Sequence, residues 1–123
     1  MLRYKHIVEC AFFMSQFIFI IDPLHSLNPK KDSSIVMMQA AQSAGSKVFV
    51  AEQNQLSIET GTAHIDMREV QSIILDGSPW HTLADLTRHE FDSNDIVMMR
   101  KDPPVDTAFW HTLQVLSVAQ NQG

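Results

Sequence analysis

The chain is short of cysteine, glycine, basic residues and long apolar runs, and each shortage closes off a class of function. Its one cysteine, Cys10, cannot form an internal disulfide, so the chain reads as a cytosolic protein held together by its core. Four glycines stand apart at 45, 61, 77 and 123, too scattered to build a Gly-rich phosphate loop. Nine Lys and Arg are spread among fourteen Asp and Glu, for a formal charge of -5, which disfavours a nucleic-acid partner and an acidic membrane surface alike. The start, "MLRYKHIVECAFFMSQFIFII", has the outline of a signal peptide. Glu9, Ser15 and Gln16 interrupt it, however, no small-x-small cleavage site follows, and its apolar part falls far short of the roughly 20 residues a membrane span needs. The expectation is a start at Met14, with residues 1–13 an extension outside the fold and 14–123 a single domain.

What is present is a globular composition, with 45% hydrophobic and 19% charged residues. "FIFII" at 17–21 is a continuous β-branched and aromatic run, the pattern of a strand covered on both faces. "DSSIVMMQAAQSAG" follows as a helix, with Asp32 or Ser33 as its cap and Gly45 as its end. Met37, Ala40, Ala41 and Ala44 are expected to form its packing face. "SKVFVAE" at 46–52 makes a second strand, completing a βαβ unit with parallel strands. "LSIETGTAHIDMREVQSIIL" alternates around Thr60-Gly61 and predicts an antiparallel edge hairpin. Residues 76–94 look irregular, with a short helix over 82–89. "DIVMM" at 95–99 returns as a buried strand, and "DTAFWHTLQVLSVAQNQG" reads as a helix capped by Asp106. On that helix Phe109, Leu113 and Leu116 share one face while Trp110, Val115 and Val118 point elsewhere, a pattern that expects it to be sandwiched. The expected class is α/β: a mainly parallel sheet, an antiparallel edge hairpin and flanking helices.

Metal and nucleophile chemistry find little support. Six histidines include no i, i+4 pair or compact Cys/His group, no acidic cluster offers magnesium ligands, and no serine sits in a nucleophile elbow. In a parallel sheet, ligands gather where strands end and the chain leaves toward helices. Two polar segments are expected there, "IDPLHSLNPKKDSS" and "MRKDPPVDT". Pro103-Pro104 stiffens the second, holding Arg100, whose planar fork suits a carboxylate or phosphate. Read alone, Arg100 fits a surface ion pair with Asp102 or Asp106 better than an anion clamp. Asp22 either holds a polar group or ends its strand. Asn28, Lys31 and Ser33 are further candidates, Lys31 toward an anion and Ser33 chiefly as a cap. Asp106 reads first as a cap and second as a binding residue. Asp22 as a receiver-type phosphoacceptor lacks the acidic pair such a site needs.

"FIFIIDPLHSLNPKKDSSIVMM" and "DIVMMRKDPPVDTAF" together resemble the N-terminal domain of bacterial-type glutathione synthetase, in which a strand-Asp-Pro segment, a Lys-Asp-Ser helix entry and a Met-Arg-Lys-Asp-Pro-Pro-x-Asp loop recur in this order. The likeness runs from about Phe17 to the end and is looser over 53–94. It implies a Rossmann-like pre-ATP-grasp domain of a cytoplasmic, oligomeric ligase that joins γ-glutamylcysteine to glycine with ATP and magnesium. With it, Arg100 is favoured as a clamp on the peptide substrate, alongside Asp22, Asn28, Lys31, Ser33 and Asp106. The nucleotide and magnesium are expected to belong to an ATP-grasp portion outside these residues, so the fragment alone is expected to bind γ-glutamylcysteine or glutathione weakly and to ligate nothing. The alternative is a non-catalytic binding or assembly module derived from a truncated ligase.

Overall fold

The computed structural model describes residues 15–100 and 107–122. Among these residues, seven strands and two α-helices follow one another as β1 (Gln16–Ile20), α1 (Ser33–Ser43), β2 (Lys47–Ala51), β3 (Leu56–Glu59), β4 (Thr62–Ile73), β5 (His81–Leu83), β6 (Thr87–Glu90), β7 (Asp95–Met99) and α2 (Thr107–Gln122), with 3-10 turns at Leu24–Ser26 and Gln53–Gln55. The strands form one sheet of order β3-β4-β2-β1-β7, and β5 and β6 also pair with β4. β1 runs parallel to both β2 and β7, whereas every pairing made by β4 is antiparallel. The sheet is therefore mixed rather than mainly parallel. The cause is β4, whose twelve residues are long enough to serve four partner strands.

The βαβ unit forms as expected. Strand β1 is apolar throughout its centre because both faces are covered: Ile18 and Ile20 point to one side and Phe19 and Ile21 to the other, all at most 2% exposed. On the Phe19 side the cluster includes Met38 and Ala41 of α1, with Val48, Val50 and Val70; on the Ile18 side it includes Val115 of α2, with Phe49, Ile65 and Phe91. Helix α1 opens on Asp32, whose Oδ1 accepts from Ser34 N at 2.8 Å. It closes through Gly45 (φ 90), with Gly45 N donating to Gln42 O and Ser46 N to Ala41 O, the bond pair of a Schellman ending.

Several expectations are corrected. The buried face of α1 is Ser34, Ile35, Met38 and Ala41, while Ala40 and Ala44 are exposed. Ile35 and Met38 bury more apolar area than the alanines, and that decides the rotation. Residues 82–89 hold no helix but the short strands β5 and β6, recruited by the length of β4. Helix α2 buries Thr112 and Val115, with Leu116 and Ala119 partly covered beside them, while Trp110 and Leu113 are exposed. It thus packs by one i, i+3, i+4, i+7 face, and Leu113 lies off it. The hairpin is present, turning through Thr60 (φ 49) and Gly61 (φ 78), the two left-handed positions a tight β-turn of this hand requires. Met14, the side chain of Phe109, and the proposed cap Asp106 lie outside the described residues. Among the described residues no helix is long and apolar enough to cross a membrane.

Candidate functional site

Because β1, β2 and β7 are parallel and in register, Ile20 stands level with Ala51 and Met99. Two backbone bonds carry the ladder one step further, Ile21 N to Ala51 O at 3.0 Å and Arg100 N to Ile20 O at 2.9 Å. Asp22, Glu52 and Arg100 therefore leave the sheet along one edge, the edge at which ligands of parallel sheets collect.

Arg100 is held in place from across the crossover. Its Nη2 donates to Ser33 Oγ at 2.7 Å and its Nε to Ser34 Oγ at 3.3 Å. Ser34 is 4% exposed and locked by the Asp32 cap, so the guanidinium plane is fixed over the first turn of α1. A guanidinium beside the first turn of a helix offers hydrogen-bond donors suited to an anion, with the Asp32 carboxylate at the same helix end offsetting part of the positive charge. The partners expected for a bland ion pair, Asp102 and Asp106, lie outside the described residues. The partners observed are the α1 serines.

On the other flank of the β1 end an open cleft of about 230 Å³ is lined by Asp22, Leu24, His25, Glu52, Arg68 and His81, among others. Asp22 is half-buried at its rim. Glu52 closes a reciprocal cap with Gln55, whose Oε1 accepts from Glu52 N at 2.7 Å. Arg68 reaches in from β4, with Nη1 3.4 Å from Ala84 O. His81 lies against Trp80, ring centroids 4.4 Å apart, and its buried Nδ1 has no hydrogen-bond partner.

Burial lowers the His81 pKa from its ordinary value of 6.5. The unfolded chain then takes up its proton before the folded chain does as pH falls. His81 costs no stability above about pH 6.5, and from there downward folding stability declines until the lower folded pKa is passed. Urea melts between about pH 7.5 and 5 should show that decline, and His81→Gln should flatten it. An unchanged slope in the variant would show that His81 is not its source.

The structure thus brings Arg100 and Ser33 into direct contact and puts Asp22 on the same edge, beyond the end of β1. Asn28 and Lys31 are not in the cleft. Asn28 shapes the loop: its Oδ1 accepts from Lys30 N at 3.0 Å, and its carbonyl accepts from Lys31 N and Asp32 N. Lys31 is exposed at the head of α1. Sequence reading missed Glu52, Arg68, His81 and Ser34. Glu52 ends "VFVAE" on the edge already singled out and was open to the same argument. Arg68 and His81 reach the cleft through antiparallel pairings that no local pattern displays.

Comparison with known proteins places the chain in a family. The family model described as prokaryotic glutathione synthetase, N-terminal domain, matches residues 15–123. Among curated proteins, the chain is similar to the glutathione synthetase of Nostoc sp., 38% identical over 106 residues, covering 80% of this chain and 33% of the relative. It is likewise 38% identical over 104 residues to that of Vibrio vulnificus (85% and 32%) and 36% identical over 104 residues to that of Shewanella oneidensis (85% and 33%). The chain spans about a third of the length of these relatives. With every described residue inside the family match, the chain belongs to the prokaryotic glutathione synthetase family, as its N-terminal domain.

Proposed function

We propose that this chain is the substrate-side, Rossmann-like pre-ATP-grasp domain of a cytoplasmic, homo-oligomeric glutathione synthetase, which joins γ-glutamylcysteine to glycine at the expense of ATP. One observation carries the reading. The two segments that carry the family resemblance, "IDPLHSLNPKKDSS" and the strand that leads into Arg100, meet at one edge through the Arg100–Ser33 and Arg100–Ser34 bonds. In this reading Arg100 clamps a substrate carboxylate, and Ser33 and Ser34 hold the fork so that little entropy is lost when the anion arrives. Asp22 and the cleft beside it receive the neighbouring polar groups of the peptide, with Lys31 adding positive charge at the approach. Asn28 contributes by setting the loop, and Asp106, outside the described residues, is a further candidate contact to the substrate.

The described residues do not fit the nucleotide or its magnesium ion. Gly45 closes a helix and Gly61 a hairpin, so neither is available to a phosphate-cradling loop, and among the described residues the carboxylates at the Arg100 edge, Asp22 and Glu52, form no compact group of three ligands for a hard cation. Those groups fall to the other two thirds of the relatives' length, and no step here is assigned to them.

The test is a chimera of this chain with the C-terminal two thirds of the Nostoc sp. glutathione synthetase. It should form glutathione from γ-glutamylcysteine and glycine in an ATP-dependent manner. A soluble, folded chimera without that activity, beside an active parent, would count for the non-catalytic module instead.

A further inference from the structure

The opposite end of β7 holds a second cluster. β6 ends at Glu90 and β7 begins at Asp95, and the turn between them folds back tightly. Asp92 Oδ1 accepts from Asn94 N at 2.8 Å, and Asp95 Oδ2 accepts from Asp92 N at 2.8 Å while standing 2.7 Å from His89 Nε2. One ligand atom from each of His89, Asp92 and Asp95 lies within 4.8 Å of the others. Rotation of the exposed Asp92 side chain can close that span to the spacing set by metal bonds of about 2.0–2.2 Å.

A hydrogen-bonded His–Asp pair alone does not account for the cluster. The Asp95 side chain is 2% exposed, yet its Oδ1 is buried with no hydrogen-bond partner. An N–H of His89 at Nε2 satisfies Oδ2 and leaves Oδ1 as it was. Buried carboxylate oxygens without donors are uncommon because the lost hydration is not replaced, and a cation bound by both oxygens replaces it. The two oxygens share one carbon, so Oδ1 stands at the cluster. An open cavity of about 440 Å³, lined by Asp92, Asp95, Phe91, Val97 and Met99 though not by His89, reaches the two carboxylates and leaves room for water ligands.

We propose that His89, Asp92 and Asp95 bind one divalent transition-metal ion of the zinc or manganese kind. An imidazole nitrogen with two carboxylates is a donor set of intermediate softness, unlike the all-oxygen sets of calcium and magnesium. The site lies at the N-terminal end of β7, away from Arg100 after its C-terminal end, and fastens the β6–β7 turn without entering the substrate edge. Histidine spacing does not reveal it, because the ligands fall at three-residue intervals and meet only through the turn.

Metal-free protein is titrated with Zn2+ by calorimetry and with Mn2+ by paramagnetic broadening of amide signals. One equivalent of Zn2+ is expected, with Mn2+ broadening first at residues 89–96. His89→Gln and Asp92→Asn should each weaken binding by at least about tenfold, the loss usual when a ligand or its support is removed, with circular dichroism unchanged. Asp92 is exposed, so its variant retains the fold even if His89→Gln does not. Absence of saturable binding, an equivalent that survives Asp92→Asn, or broadening centred on His25, His64 or His111 overturns the proposal.

Discussion

Replacing Arg100 with alanine in the ligase-competent chimera is expected to lower kcat/KM for γ-glutamylcysteine by about 10- to 100-fold, the loss of one charge-assisted hydrogen-bonding group of about 1.5–3 kcal/mol. The effect is expected to be large because the side chain is oriented before ligand arrives. Its bonds to Ser33 and Ser34 reach back 67 and 66 residues, so the loop after β7 and the head of α1 are presented as one unit. Lysine at this position should recover only part of the loss, since an ammonium keeps the charge but not the planar fork. Ser33→Ala should have a smaller effect, because it removes a support and leaves the guanidinium. Steady-state kinetics on the three variants decides the matter. Unchanged kinetics in Arg100→Ala would take Arg100 out of the site.

The largest effect on stability is expected at Phe19. Phe19→Ala should lower the unfolding free energy by about 3–5 kcal/mol, read from urea melts. The ring is 1% exposed on the central strand, between β2 and β7, and packs in the cluster that joins Met38 and Ala41 of α1 to Val48, Val50 and Val70. That cost is a large part of the 5–15 kcal/mol typical of a domain, so the variant should sit near the limit of folding. Val36→Ala, on the outer side of α1 at 60% exposure, should stay within about 0.5 kcal/mol. A Phe19 variant that melted within about 1 kcal/mol of the parent would contradict the assigned core.

How much of this was legible in the sequence depends on the range of the interactions involved. β1 and β2 announce themselves as unbroken apolar runs because both of their faces are buried, whereas β7, expected to be buried on the same pattern, is only partly covered, with Ile96 39% exposed; the Asp32 cap and the Gly45 ending follow from local backbone chemistry. The Thr60-Gly61 turn was readable for the same reason. The rotation of α1 was not: alanines at helical spacing looked like a packing face, but Ile35 and Met38 bury more area and turn the helix toward themselves. β5 and β6 carry almost no pattern of their own, being three- and four-residue strands that exist because β4 offers them an edge. The mixed character of the sheet follows from the same strand. In the site, the edge location of Asp22 and Arg100 could be read from strand ends. The Arg100–Ser33 contact, the reach of Arg68 and the folding back of His89 onto Asp95 could not, since each is fixed only by tertiary pairing.

The central claim is that the C-terminal edge of β1, β2 and β7 is the face this domain turns to the peptide substrate. Amide and side-chain chemical shifts of the isotope-labelled chain, followed while γ-glutamylcysteine is added to millimolar concentration, test it most directly. Weak, saturable shifts are expected at Asp22, Ser33, Ser34, His81 and the Arg100 guanidinium, and are expected to be lost in Arg100→Ala. Shifts gathered at the other end of the sheet, or none at that edge, would contradict it.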